Sequence, residues 1–166
     1  GDDLAHGADG EIEQRAARQV LAGMVRPKQA LHKLAVFDTH GQQLVAAGLV
    51  RVPADRGHRV GGLNRIACGA EPARGGLRNA DALALAAESS VDLPYELTNP
   101  YCFGPAVAPH LAAAEAGIRL SPDELVDWYG RATAGAEFAV VEGAGGWRVP
   151  LHPDGFLSDL PERLGL

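Results

Sequence analysis

The stretch EFAVVEGAGGWRVPL, residues 137–151, ends a run of four apolar residues on a carboxylate, Glu142. Gly143, Ala144, Gly145 and Gly146 follow it. A continuous apolar run is the pattern of a strand buried on both faces of a parallel sheet. Ligands of such sheets sit beyond the carboxyl ends of the strands. A carboxylate in that place suits a hard cation such as Mg²⁺, which takes oxygen ligands and keeps several waters. Residues with little or no side chain let backbone amides approach an anion closely. The same residues also read as a tight turn carrying a solvated acid, and this stretch alone does not separate the two readings.

Asp81 offers a second carboxylate. It falls in the first turn of a helix that Asn79 is placed to cap, where the helix dipole favours an acid whatever its use. Set beside Glu142, it becomes a second contact for the same cation. Asp38, Thr39, His40, Gly41, Gln42 and Gln43 form a turn between a strand and a helix, where phosphate loops lie. Such a loop needs glycine-rich backbone, a Lys for the phosphates and a Ser or Thr hydroxyl on Mg²⁺. Here one glycine is present, and Gln stands in both of the other places. The six histidines show no ligand spacing, Trp128 and Tyr129 read as core or interface, and Ser89 and Ser90 read as polar residues closing a helix.

The elements that must position these residues follow from periodicity. Strands are expected over residues 34–37, 58–63 and 138–142, and helices over 44–50, 80–88, 110–117, 121–134 and 156–163. Pro53 should end or kink the first helix. Gly117 should close the third, and Ser121-Pro122-Asp123-Glu124 should open the fourth. Residues 93–110 are proline-rich and read as irregular. Strands alternating with helices predict an α/β domain with a parallel sheet.

With 166 residues, the chain has room for one domain with a sizeable core. Residues 1–32 read as a separate flexible or helical segment, and residues 33–166 as the α/β domain. An apolar fraction of 46% with 22% charged residues excludes a disordered chain. The net charge of −6 argues against nucleic acid or an anionic membrane as partner. No apolar run approaches the roughly 18 to 20 residues of a membrane span, and the acidic first twenty residues carry no signal-peptide pattern. Cys68 and Cys102 fit neither a disulfide framework nor a metal cluster, so a reducing cytoplasm is expected. Lys28 and Lys33 are the only lysines, which leaves positive charge after residue 33 to Arg.

The segments GHRVGGLNRIACGAE, LRNADALALAAES, LPYELTNPYCFGPAVAPHLAAAEAG and AEFAVVEGAGGWRVPL, in this order and spacing, resemble dethiobiotin synthase over about residues 44–166. The resemblance implies a P-loop-type parallel sheet flanked by helices in three α/β/α layers, here partial and C-terminally truncated, because the family continues into further strands. It also implies ring closure dependent on ATP and Mg²⁺. In that reaction 7,8-diaminononanoate takes up CO2 as a carbamate, the carbamate attacks the γ-phosphate, and the second amine closes the ureido ring. The family's members are homodimers.

Carried over residue by residue, Asp81 and Glu142 match acidic metal and nucleotide contacts, and Gly143, Ala144 and Gly145 the loop that follows. Asp38, His40, Gly41, Gln42 and Gln43 match the nucleotide loop, with Gln42 at the Lys place and Gln43 at the metal-binding Thr place. Thr39 and Cys68 fall at substrate contacts. Asn64 falls at a catalytic Lys, in a Lys-Pro pair that here reads Asn64-Arg65, and Arg65 is the cation nearest in sequence to the lost lysine. These departures also motivate an alternative: a catalytically inactive or truncated homologue that keeps only a dimerisation or interaction surface.

Overall fold

The computed structural model describes residues 32–35, 43–143, 148–152 and 155–164. Three parallel strands form its central sheet: β1 (His32–Ala35), β7 (Phe138–Glu142) and β2 (Val60–Asn64), with β7 in the middle. The register aligns His32 and Val60 with Phe138 at one end, and Asn64 with Glu142 at the other. FAVVE is thus the central strand, as its unbroken apolar run requires. β1 begins two residues before the apolar run 34–37, whose last two residues lie outside the described residues.

Alternation along the strands sorts side chains onto two faces. Val60, Val140 and Phe138 pack with Leu85 and with Ala46, Leu49 and Val50, which belong to α1 (Gln43–Ala54) and α2 (Ala80–Glu88). Leu63, Ala139 and Val141 point the other way. They join a core with Ala112 and Ala113 of α4 (Pro109–Glu115), with Leu125, Trp128 and Tyr129 of α5 (Pro122–Thr133), and with Leu160 and Leu164 of α6 (Leu160–Leu164). Helices therefore cover both faces of a parallel sheet, the α/β arrangement expected. Trp128 and Tyr129 are core residues, 2% and 4% exposed.

Caps behave as their side chains dictate. Asn79 Oδ1 accepts from the amides of Asp81 and Ala82, and Ser121 Oγ accepts from that of Glu124. α1 runs through Pro53 to Ala54, four residues beyond the expected end. The ring costs one amide donor near the terminus, and the chain then leaves the helix through Gly57 at φ +84°. Gly62 is required by packing: a Cβ there would lie 2.7 Å from the Leu85 carbonyl oxygen and 3.0 Å from Val50, so α2 rests directly on the strand.

Within the stretch expected to be irregular lie a one-turn helix, α3 (Tyr95–Thr98), and a short strand, β6 (Tyr101–Cys102). β6 pairs in parallel with β3 (Ile66–Ala67). Two small antiparallel pairs complete the described residues: β4 (Glu71–Ala73) with β5 (Gly76–Arg78), and β8 (Pro150–His152) with β9 (Gly155–Phe156). No helix among the described residues is long and apolar enough to cross a membrane.

Candidate functional site

Asn64 and Glu142 end neighbouring strands as register partners, and both continue the side-chain series that faces α1 and α2. Seven residues separate β1, which ends at Ala35, from α1, whose first residue, Gln43, is the last of the candidate phosphate-binding turn. The rest of that turn, Asp38, Thr39, His40, Gly41 and Gln42, lies outside the described residues. So do Ala144, Gly145 and Gly146.

α2 delivers Asp81 to the same end. Its C-terminal side is pinned to the early part of β2, where the Val60 amide donates to Ser90 Oγ and the Gly62 amide to Ser89 Oγ, each at 2.8 Å. Its N-terminus is tied to the last residue of β2 by a chain of hydrogen bonds. The Asn79 amide donates to Tyr95 Oη (2.8 Å), and the Tyr95 hydroxyl donates to Asn99 Oδ1 (3.2 Å). Asn99 Nδ2 in turn donates to the Asn64 carbonyl (2.8 Å). Burial pushes the Tyr95 hydroxyl up to about 12, so it stays protonated and able to donate. Tyr95 is held flat by the Arg78 guanidinium, 4.1 Å above its ring. Asp81 thus starts a helix whose cap residue is linked, through Tyr95 and Asn99, to the carbonyl of Asn64 at the end of β2.

The strand tips bury charge. Asn64, Arg65 and Glu142 are 4%, 2% and 2% exposed. The Arg65 amide donates to the Glu142 carbonyl at 3.0 Å, extending the strand pairing by one residue. Its guanidinium lies against Gly143: a Cβ on Gly143 would be 2.6 Å from Nε and 2.7 Å from Cζ of Arg65. Gly143 is therefore needed for the guanidinium that covers it, besides any ligand. Burial lowers the Arg65 pKa to about 10 against the pull of the Glu142 carboxylate, which leaves the side chain charged at neutral pH. Asn64 Oδ1 is buried with no hydrogen-bond partner among the described residues.

Cys68 does not join this cluster. It follows β3, half-buried, close enough to Cys102 to feel it, and burial pushes its thiol up. Cys102, Tyr95, Asn99, Arg78 and Phe103 border a cavity of about 710 Å³. None of Asn64, Asp81 or Glu142 lines that cavity, so it adjoins the hydrogen-bond chain without containing the acids. Among the described residues no three His, Cys, Asp or Glu side chains cluster as metal ligands, so a cation here would rest on carboxylates from separate elements.

Tyr95, Asn99 and the inward Arg65 were not singled out as site residues from sequence. The signal available was the NPY segment, whose asparagine and following residues form this connection.

Comparison with known proteins covers most of the chain. The profile of the AAA domain family matches residues 37–166. An ATP-dependent dethiobiotin synthetase BioD of Pseudomonas paraeruginosa is 49% identical over 127 residues, covering 76% of this chain and 56% of the relative. Proteins of the same name from Chromohalobacter salexigens and Cellvibrio japonicus are 46% and 44% identical, covering 76% of this chain and 54% and 55% of their own lengths. The chain thus spans about half the length of the curated relatives it matches, and the similarity to dethiobiotin synthase read from its motifs holds across that span. With helices on both faces of a parallel sheet and a family match over residues 37–166, this chain belongs to the AAA domain family.

Proposed function

We propose that the chain carries the nucleotide and metal end of an ATP-dependent dethiobiotin synthase. It would close the ureido ring of dethiobiotin from 7,8-diaminononanoate, CO2 and ATP. The observation that carries this reading is the constellation at the carboxyl end of the sheet: Asn64 and Glu142 in register, Arg65 over Gly143, and Asp81 joined to them through Asn79, Tyr95 and Asn99.

The donor set fits Mg²⁺, since carboxylate oxygens are its preferred protein ligands and it needs only one or two of them beside water and phosphate. Asp81 and Glu142 would hold it, with the residue at Gln43 contributing through its side-chain oxygen. When bound, the ion neutralises charge developing on the phosphates. The remaining work is positioning. By the resemblance, Gly143, Ala144 and Gly145 would offer backbone amides to the phosphates, as would Asp38, His40, Gly41 and Gln42. Asn64 stands where the carbamate would meet a lysine, and it can orient an oxyanion by hydrogen bonding but cannot neutralise it. By the resemblance, Thr39 and Cys68 would contact the diamine. A homodimer is the assembly the reading entails.

The buried, neutral Asn64 favours a second reading, a homologue that retains the scaffold and an association surface without turnover. Calorimetric titration of the purified chain with Mg-ATP, followed by the diamine, tests the first. Saturable nucleotide binding with dethiobiotin formed on adding CO2 is the expected result. Absent nucleotide binding overturns the enzyme reading. Binding and self-association with no product, whatever the CO2 supply, favours the second.

A further inference from the structure

Arg65 is the feature of the strand-tip site that the functional reading leaves without a task. Position 65 ends up in the interior because its amide continues the β2–β7 pairing onto the Glu142 carbonyl. The side chain then lies over Gly143, the residue directly after the carboxylate assigned to the metal. Both Arg65 and Glu142 are 2% exposed, and they attract one another. Burying two ions costs several kcal/mol each before their attraction is counted, and that attraction offsets part of the cost. A divalent ion needs that same carboxylate and carries charge of the same sign as the guanidinium.

We propose that Arg65 is a built-in counter-ion of Glu142 and competes with the divalent ion for it, so that metal loading at this carboxylate displaces the guanidinium. The inference rests on the placement of the metal at Glu142 given above. Arg65 thereby sets how tightly the site takes a metal: its charge keeps Glu142 compensated when no metal is bound, and weakens metal affinity by like-charge repulsion. Released from Glu142, the guanidinium has a planar fork of donors that suits a phosphate or carbamate oxyanion.

The test uses the whole chain and Mn²⁺ alone, without nucleotide. Arg65→Gln should tighten Mn²⁺ binding roughly tenfold or more, as expected for removing a like charge a few Å from the ion in a poorly screened site. The double variant Arg65→Gln/Glu142→Gln should lose that gain. A second measurement needs no substitution. In nuclear magnetic resonance spectra of the wild-type chain, the Arg65 Nε–H signal should shift as Mg²⁺ is added and reach a plateau with metal saturation. Unchanged Mn²⁺ affinity in Arg65→Gln, a gain that survives Glu142→Gln, or a stationary Arg65 signal at saturating Mg²⁺ would each overturn the proposal. Failure of ATP binding in the separate calorimetric titration would sink the functional reading while leaving these metal measurements interpretable.

Discussion

The two ends of β2 solve the same problem in opposite ways. At its amino end, polar backbone is satisfied by short hydroxyls that return to the chain. Ser90 Oγ accepts from the Val60 amide and donates to the His58 carbonyl, and Ser89 Oγ accepts from the Gly62 amide and donates to the Leu85 carbonyl. The charges nearby, Arg59 and Glu137, stay in water. At its carboxyl end the chain buries a full positive and a full negative charge beside a neutral amide. The first arrangement holds a helix to a strand at little electrostatic cost. The second is expensive, and such expense is concentrated where chemistry needs perturbed groups. On the function proposed above, the serine-anchored end serves stability and the charged end serves the ligand.

The largest effect should come from restoring the lysine that the family resemblance places at position 64. Asn64→Lys alone would bring a second cation beside buried Arg65. It should lower stability on the order of 3–5 kcal/mol, the scale for an uncompensated buried charge, measured by urea unfolding. Asn64→Lys with Arg65→Pro restores the family pair and keeps a single cation near Glu142. Proline removes the amide that donates to Glu142, so about 1 kcal/mol of loss should remain. The pair should also bind Mg-ATP more tightly than the single variant does. If Asn64→Lys alone is as stable as wild type, the carboxyl end is not the charge-saturated environment described above.

A smaller effect should follow from cutting the link between the N-terminus of α2 and the carboxyl end of β2. Tyr95→Phe leaves the Asn79 amide and Asn99 Oδ1 each short of a partner, which costs about 1–3 kcal/mol. For a domain of this size that is roughly 2–4 °C of melting temperature per kcal/mol. Because the loss falls at the N-terminus of α2, Mg-ATP affinity should drop while the serine-anchored end of the helix stays protected from hydrogen exchange. Uniform loss of protection along α2 would show that the hydroxyl serves the whole helix rather than the placement of Asp81.

How far these ends were legible in the sequence differs for the same physical reason. FAVVE, the Asn79 and Ser121 caps, and the positions of Asp81 and Glu142 at element ends could be read because each depends on neighbours within a few residues. Tyr95 and Asn99 could not, since their partners lie 16 and 35 residues away. Arg65 reads only as the cation nearest in sequence to the lost lysine, and its burial follows from a backbone pairing with Glu142 that no local pattern encodes. The β4–β5 hairpin carries no such pattern because β4 is exposed and contains Pro72, and β5 is only half-buried. Its turn was marked only by Gly75 and Gly76, which adopt φ of +90° and +120°. Of the strand expected at 34–37, residues 34 and 35 lie in β1, and 36 and 37 lie outside the described residues.

The smallest predicted effect belongs to the solvated end and gives the comparison its control. The Arg59 amide donates to Glu137 Oε2 at 2.9 Å, and this bond, helped by the charges of Arg59 and His58, holds the Glu137 carboxyl below its usual value near 4.5. A carboxylate whose pKa is depressed on folding stabilises the native state above its unfolded value and loses that contribution as pH falls through the folded one. Wild type should therefore be slightly more stable than Glu137→Gln at pH 6, with the difference shrinking below about pH 4.5 and vanishing once the carboxylate is protonated. Urea midpoints for both proteins at pH 6 and pH 3 measure it. Since the pair is exposed, the difference should also shrink in high salt, whereas the cost of Asn64→Lys, buried from solvent, should change far less. A salt response of equal size at both ends would remove the distinction between them.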